Sequence, residues 1–392
     1  MIVAALAVTE TITWGIVYYG FPVFLSSMET DLHASRVTVT GAFSLGLGVS
    51  ALSALPVGRW LDRRGPRLLM TLGSIAATLL VFAWARVESV AGLYVIWALM
   101  GLAMAATLYE PAFAAVVQWF SAHRDRALLT LTLAAGLAST IFMPLEAWLL
   151  ARLGWRQTLQ ILAVLLGATT IPLHALVLRA PDRTASASPD GSRDASPSVP
   201  LAGALRRPLF WVLAVAFLSG NFATASVTVH LIPYLGRYGY SAAFAAAVVG
   251  WIGAMQLPGR LLFVPIASRL GSRAMTAAIF LAQSSGVLLL ALVGRLPSLL
   301  PVIVLIGAAN GMLTLARATV VSDVFGRRHY GSISGTMALG ANGARALGPV
   351  GASLLYVALG SYERLFLALA TLLVVAALGV FVTDRSRGDP RS

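Results

Sequence analysis

Six ionisable side chains stand inside long apolar runs of this 392-residue chain: Glu10, Glu110 and Glu146 in its first half, and Arg260, Arg317 and Arg345 in its second. An ionised group at bilayer depth costs about 2.5 to 3.5 kcal/mol on insertion scales, so it normally faces a water-filled cavity or a partner. Glu146 and Arg317 lie toward the ends of their runs, where a carboxylate reaches the interface and an Arg snorkels. That leaves Glu10, Glu110, Arg260 and Arg345 as the deep set. Arg presents a planar fork that holds a carboxylate through two hydrogen bonds. Arg260 and Arg345 are therefore candidate anion-binding residues, with a static ion pair to a first-half Glu as the alternative. A Glu in a cavity that alternates between closed and open can take up and release a proton. Glu10 and Glu110 are the candidates for proton coupling, with a structural hydrogen bond to a helix backbone as the alternative.

Helical spacing aligns further residues with these. Glu10, Trp14 and Tyr18 stand at i, i+4 and i+8, Tyr109 adjoins Glu110, Gln256 lies one turn before Arg260, and Asn342 shares a face with Arg345. The pattern describes an amphipathic pocket in which guanidinium groups hold a carboxylate and rings cover the apolar part of the ligand. For the rings alone, ordinary packing between helices is the alternative. Asn221, Thr224 and Thr228 share a face, as do Asn310 and Thr314, and both sets read first as glue between helices. The chain has no Cys, and its five His are scattered without ligand spacing, so neither a metal nor a cofactor is expected. No Gly-Lys-Ser/Thr loop is present to bind a phosphate, and no catalytic cluster or soluble domain suggests an enzyme.

The elements that must position these residues follow from composition. Hydrophobic residues make up 58% and charged ones 11%, against about 25% charged in a typical soluble domain, so most of the surface must face lipid. Spans are expected near 3–26, 38–58, 67–86, 91–118, 127–150, 157–179, 209–234, 243–265, 274–294, 298–322, 332–357 and 364–383, which is twelve helices. All 28 basic residues are Arg; taking the loops alternately, 18 fall on one side, 7 on the other and three inside spans. The excess on one side puts both termini in the cytoplasm, and the scattered basic residues argue against nucleic acid. An Arg-only, Ala- and Gly-rich composition fits a bacterial inner-membrane protein. The first apolar run reads as a retained helix and not a signal peptide. The Pro-, Ser- and Asp-rich stretch after residue 179 reads as a cytoplasmic linker over 180–207, joining bundles of six helices at 1–179 and 208–392. The halves also echo each other: Gly58, Asp62, Arg63, Gly65 and Arg67 are followed 206 positions later by Val264, Ser268, Arg269, Gly271 and Arg273, and Gly154 by Gly360. A duplicated six-helix unit is the simplest account, and halves so related place a site between them and rock against each other.

The loop Gly58-Arg59-Trp60-Leu61-Asp62-Arg63-Arg64-Gly65-Pro66-Arg67 resembles the signature between the second and third helices of the major facilitator superfamily. That resemblance implies an all-α membrane protein of twelve spans in two pseudo-symmetric six-helix bundles. It also implies that Gly58, Asp62, Arg63, Gly65 and Arg67 lock one side of the molecule during transport. Tyr19-Gly20-Phe21-Pro22, His33 to Arg36, Trp119-Phe120 with Arg124 to Leu128, and Asp323 to Arg328 are similar to segments of the monocarboxylate transporter and oxalate/formate antiporter branch. Val23 stands where the monocarboxylate transporters carry a Lys after the Phe-Pro. Gln256 stands where they carry an Asp four residues before an Arg. Arg260 fits that branch's anion-binding Arg, whereas the proton-handling partner is missing.

The expected function is secondary transport of a small organic anion, a carboxylate, by exchange or with protons through alternating access. Its partners would be that small molecule, protons and the lipid bilayer, and a monomer contains the whole duplicated pathway. Proton-coupled efflux of drug-like or cationic compounds is the alternative, with the first-half Glu residues receiving the cation. The fifth span has Gly136 and Pro144 but lacks the tight Gly-x-x-x-Gly-Pro pattern of drug antiporters.

Overall fold

The computed structural model describes residues 1–120, 123–178, 199–292 and 298–383, and these are helical apart from short corners. Ten helical stretches among them are long and apolar enough to cross a bilayer. One of the ten, Arg124–Val177, holds two spans, because Gly154 interrupts it at φ 75°, ψ 165°. With Tyr330–Leu359 the number of spans becomes twelve. Most of the expected linker, 180–198, lies outside the described residues, as do the terminal Arg385, Arg387 and Arg391; a short helix, Leu201–Leu205, follows at Pro200.

Helix ends follow local chemistry. Ser35, Ser89, Ser241 and Ser361 each accept a hydrogen bond from a backbone N–H of the following first turn, satisfying a donor that the helix itself leaves orphaned. Pro66 and Pro208 open their spans at a position where a missing N–H costs nothing. Four spans are interrupted, the fifth at Leu137, between the end of Arg124–Gly136 and Ala138. The first runs as α-helix over Ile2–Thr13, as π-helix over Trp14–Tyr19, and as α-helix again over Gly20–Asp31. The fourth breaks at Leu108, whose extended backbone separates Val90–Thr107 from Tyr109–Trp119, just before Pro111 removes an N–H from the ladder. The eighth bends at Met255, between Ala242–Ala254 and Gln256–Leu270.

The 206-residue repeat is visible in the backbone and in packing. Gly65 and Gly271, at φ 72° and 78°, close the corners after the second and eighth spans, where an L side chain would be strained. Gly154 and Gly360 share φ 75° at the corners before the sixth and twelfth. A side chain on Gly101 would strike the carbonyl oxygen of Gly46, and one on Gly307 would strike that of Ile252, so the same crossing of two spans recurs at the same offset. Met28 accepts from the Trp84 indole at 3.1 Å; in the second copy Tyr234 donates to the Leu290 carbonyl at 2.5 Å, again between equivalent positions.

The chain divides into two compact units, Met1–Val199 with Phe325–Leu339, and Pro200–Val324 with Gly340–Ser392. In the first, Phe21, Phe43, Trp84 and Trp97 form an aromatic core, with Phe21 stacked on Phe43 at 4.7 Å and Trp84 edge-on to Trp97 at 5.0 Å. Outward-facing Leu68, Leu72 and Leu79 of the third span are exposed, as lipid contact requires.

Candidate functional site

In the first unit the π-helical segment carries the aromatic cluster. Glu10 is wholly buried one turn before it, and its Oε2 accepts from the Trp14 indole at 3.0 Å. The Trp14 ring lies 4.9 Å from Tyr18 and 5.0 Å from Tyr109, and Tyr109 stacks on Phe113 at 5.0 Å. Tyr109 reaches this place because the break at Leu108 restarts the helix with Tyr109 in its first turn. Its neighbour Glu110 points elsewhere, accepting from the Ser334 hydroxyl at 3.0 Å. Single-turn π segments often mark functional positions, since one extra residue per turn leaves the hydrogen-bond ladder locally weaker and more adjustable.

Glu146 corrects an expectation. Instead of reaching the interface, it has no exposed surface, and neither carboxyl oxygen has a hydrogen-bond partner among the described residues. It packs where Gly20, at the far end of the π segment, leaves room: a Cβ there would lie 3.0 Å from Glu146 Oε1. The sequence placed this Glu within a few residues of a run's end and hid the Gly that admits it.

The loop after the second span forms a second site in the same unit. The Asp62 carboxylate accepts from the backbone N–H groups of Gly331 at 2.7 Å and Ser332 at 2.8 Å, at the first turn of Tyr330–Leu359. A carboxylate on those orphan donors also meets the positive end of the helix dipole. Approach this close requires small residues: a side chain on Gly58 would strike the Gly331 carbonyl, and one on Gly335 that of Ala54. Arg327 adds hydrogen bonds to the carbonyls of Val117 at 2.7 Å and Gln118 at 2.9 Å. Gly65 makes the corner, Arg67 donates to the Ala175 carbonyl at 2.8 Å, and Arg63 stays exposed in the last turn.

The second unit carries the cationic residues. Arg345 is exposed, and its Nε donates to Asn221 Oδ1 at 2.6 Å; the buried Asn221 is itself fixed by donating to the Phe217 carbonyl at 2.7 Å. This chain sets the plane of the guanidinium. Asn342, half-buried, stands one turn before it. Arg260 is buried, 7% exposed, beside Gly259, whose missing side chain lets the eighth span rest on the backbone of Ala308. Gln256, one turn earlier, lines a cavity with Thr224, Thr228 and Asn310.

Of the residues singled out from sequence, Glu10, Trp14, Tyr18 and Tyr109 adjoin one another, whereas Glu110 is turned to Ser334. Asp62 and Gly58 meet the start of the eleventh span. Gln283 was not singled out. It is buried in the ninth span, and its Nε2 reaches Gly220 O, Thr224 Oγ1 and Asn310 Oδ1 at 3.0, 2.9 and 3.1 Å. The signal available was a lone carboxamide in an otherwise apolar run, but nothing local said which helices it would join.

A profile of the Major Facilitator Superfamily matches residues 6–294 and 249–392. The oxalate:formate antiporter of Oxalobacter formigenes is 27% identical over 243 residues, 59% of this chain and 54% of that protein. Monocarboxylate transporter 11 of Mus musculus is 32% identical over 211 residues, 50% of this chain and 45% of that one. The chain thus spans about half the length of the curated relatives it matches. Among solved structures, the human organic anion transporter MFSD10 (TETRAN) superposes with a TM-score of 0.73 at 18% identity, covering 97% of this chain and 98% of that one. At that identity the likeness concerns the fold.

Proposed function

We propose, since the chain belongs to the Major Facilitator Superfamily, that it carries a small organic anion, a carboxylate, by exchange or together with protons through alternating access. The observation that carries this reading is Arg345, mid-span and exposed, with its guanidinium plane fixed by the 2.6 Å bond to Asn221. A pre-oriented fork loses less freedom on binding a carboxylate than a mobile one. Arg260 is the second candidate for holding the anion, Gln256 and Asn342 are further candidates in the same unit, and Trp14, Tyr18 and Tyr109 of the first unit are the candidates for covering the apolar part of the ligand. Similarity to the oxalate:formate antiporter and to monocarboxylate transporter 11 supports the same substrate class.

The moving parts in this reading are six-helix bundles at 1–179 and 208–392 joined by 180–207. The setting is a bacterial inner membrane with both termini in the cytoplasm, and the working species is a monomer. Asp62 on Gly331 and Ser332 is a latch that must open whenever the eleventh span's first turn leaves the second span's last. Glu10 and Glu110 carry the coupled proton. Replacing both with Gln is expected to flatten the pH dependence of transport in proteoliposomes; a double variant that keeps the full dependence removes them from coupling. The alternative, proton-coupled efflux of drug-like or cationic compounds, asks a first-half Glu to meet the cation. Glu10 is ill placed for that, having no exposed surface and an oxygen committed to Trp14.

The test is counterflow in proteoliposomes with mono- and dicarboxylates on one arm and amphipathic cations against a proton gradient on the other. Carboxylate exchange that is lost in Arg345→Gln supports the anion reading. Proton release driven by a cation gradient, without carboxylate exchange, overturns it.

A further inference from the structure

The second unit contains a cavity of about 180 Å³ whose lining carries no charge: Thr224, Thr228, Gln256 and Asn310 supply polar groups, and Ile252 and Ile306 belong to its apolar part. Sequence spacing reads the two Thr and Asn310 as glue; Thr224 and Asn310 do bond across helices, whereas Thr228 bonds within its own. Asn310 Oδ1 accepts from Thr224 at 2.8 Å and from Gln283 at 3.1 Å, so its oxygen is committed to the closed side of the network. Its amino group is the edge left to face the cavity. The Thr228 hydroxyl donates to the Thr224 carbonyl at 2.8 Å, which leaves its oxygen as an acceptor. Gln256 makes no side-chain hydrogen bond among the described residues and offers both a donor and an acceptor. The half-buried carboxamides present unpaired edges among a mostly apolar lining, and pairing them with a ligand is favourable. An apolar cavity of about 150 Å³ accommodates benzene, so this one takes a group of a few heavy atoms.

Residues about one helical turn from this lining carry or hold the two cationic residues of the same unit. Arg260 follows Gln256 by four residues, and its side chain leans toward the helix N-terminus and hence toward Gln256. Asn221, which holds Arg345, precedes Thr224 by three residues on one face of the seventh span. One helical turn rises about 5.4 Å, roughly the distance across a four-carbon chain from its carboxylate to its far end.

We infer that this cavity is a subsite for the uncharged, hydrogen-bonding far end of the substrate, so that the favoured ligands are short acids bearing a terminal hydroxyl or primary amide. The inference rests on the carboxylate reading above and narrows it. A terminal amide meets Asn310 and Gln256 with complementary edges; a terminal hydroxyl donates to Gln256 or Thr228 and accepts from Asn310. A plain alkanoate leaves these groups unpaired, and a second carboxylate meets no cation in the lining.

A matched four-carbon set tests it, with binding measured by competition or thermal shift on the purified full chain: butyrate, 4-hydroxybutyrate, succinamate and succinate. The hydroxy and amide acids are expected to bind about tenfold tighter than butyrate, the worth of one well-made hydrogen bond to an otherwise unpaired group. Asn310→Leu is expected to collapse that ratio toward one, while Arg345→Gln weakens all four acids and keeps it. Should Asn310→Leu not fold, Thr228→Val, at an exposed position, is read by the same ratio for the hydroxy acid. Equal affinity for butyrate and 4-hydroxybutyrate, or succinate bound in preference to succinamate, with binding still dependent on Arg345, overturns the subsite and leaves the anion reading standing. No binding of any acid overturns both.

Discussion

At an offset of 206 residues the first and second halves of the chain repeat the caps Ser35 and Ser241, the left-handed corners Gly65 and Gly271, and the crossings of Gly46 with Gly101 and of Ile252 with Gly307. The charged and candidate site residues inside the spans do not repeat. Glu10, Glu110 and Glu146 are matched by Ala216, Ala316 and Ala352, while Gln256, Arg260 and Arg345 are matched by Ser50, Ala54 and Ser139. Both copies must turn the same corners and bring the same backbones together, so geometry holds those positions in common. A charge inside a membrane carries a desolvation cost each time it occurs, so it survives only in the copy where it serves a purpose. Departure from the repeat, more than any single motif, marks the candidate site residues.

The largest expected effect tests the shared part. Gly101→Val and Gly307→Val each drive a branched side chain into a carbonyl of the crossing span, and overpacking of this kind costs about 1 to 3 kcal/mol or more. Both variants should lose most of their monodisperse protein in detergent. Survival of one of them would show that the crossing matters in only one copy.

Next come the unshared residues, each set against its counterpart. Arg345→Gln should lower carboxylate exchange about a hundredfold, as loss of a charge-assisted, two-pronged contact does, whereas Ser139→Ala should leave it within about twofold. A wild-type rate in Arg345→Gln would detach the anion site from the pattern of departures. Asp62→Asn replaces a carboxylate that caps a helix start with a group able to accept on one atom only. Transport is expected to fall about tenfold at unchanged expression, while Ser268→Ala, whose hydroxyl bonds the Pro265 carbonyl of its own helix, should be silent. Equal rates for Asp62→Asn and the parent would remove the latch.

The smallest effect returns to the common backbone. Gly65→Ala and Gly271→Ala each put a Cβ at positive φ, at about 1 to 2 kcal/mol. Their melting points should drop by similar few-degree amounts, and a drop confined to one would sharpen the comparison by showing which corner bears load.

Much of the architecture was readable without coordinates, because twelve apolar runs separated by Arg-bearing corners can satisfy their backbone only as membrane-spanning helices. The site was less so. Periodicity aligns Glu10, Trp14 and Tyr18 on an ideal helix but cannot see that Trp14–Tyr19 is π-helical, since that depends on which carbonyl each N–H finds. Hydropathy places Glu146 by its distance from a run's end, whereas its burial depends on Gly20 across the helix interface.

The order of residues alone determined the spans, the repeat, the corner glycines and the chemical types of the candidate groups, all of which are local consequences of side-chain transfer energies and backbone sterics. Tertiary structure decided which of those groups meet. Asn310 turning its oxygen to Gln283 and Thr224, Glu110 turning to Ser334, and Asn221 aiming Arg345 are outcomes of helix rotation and crossing, set by many weak contacts at once and encoded at no single position.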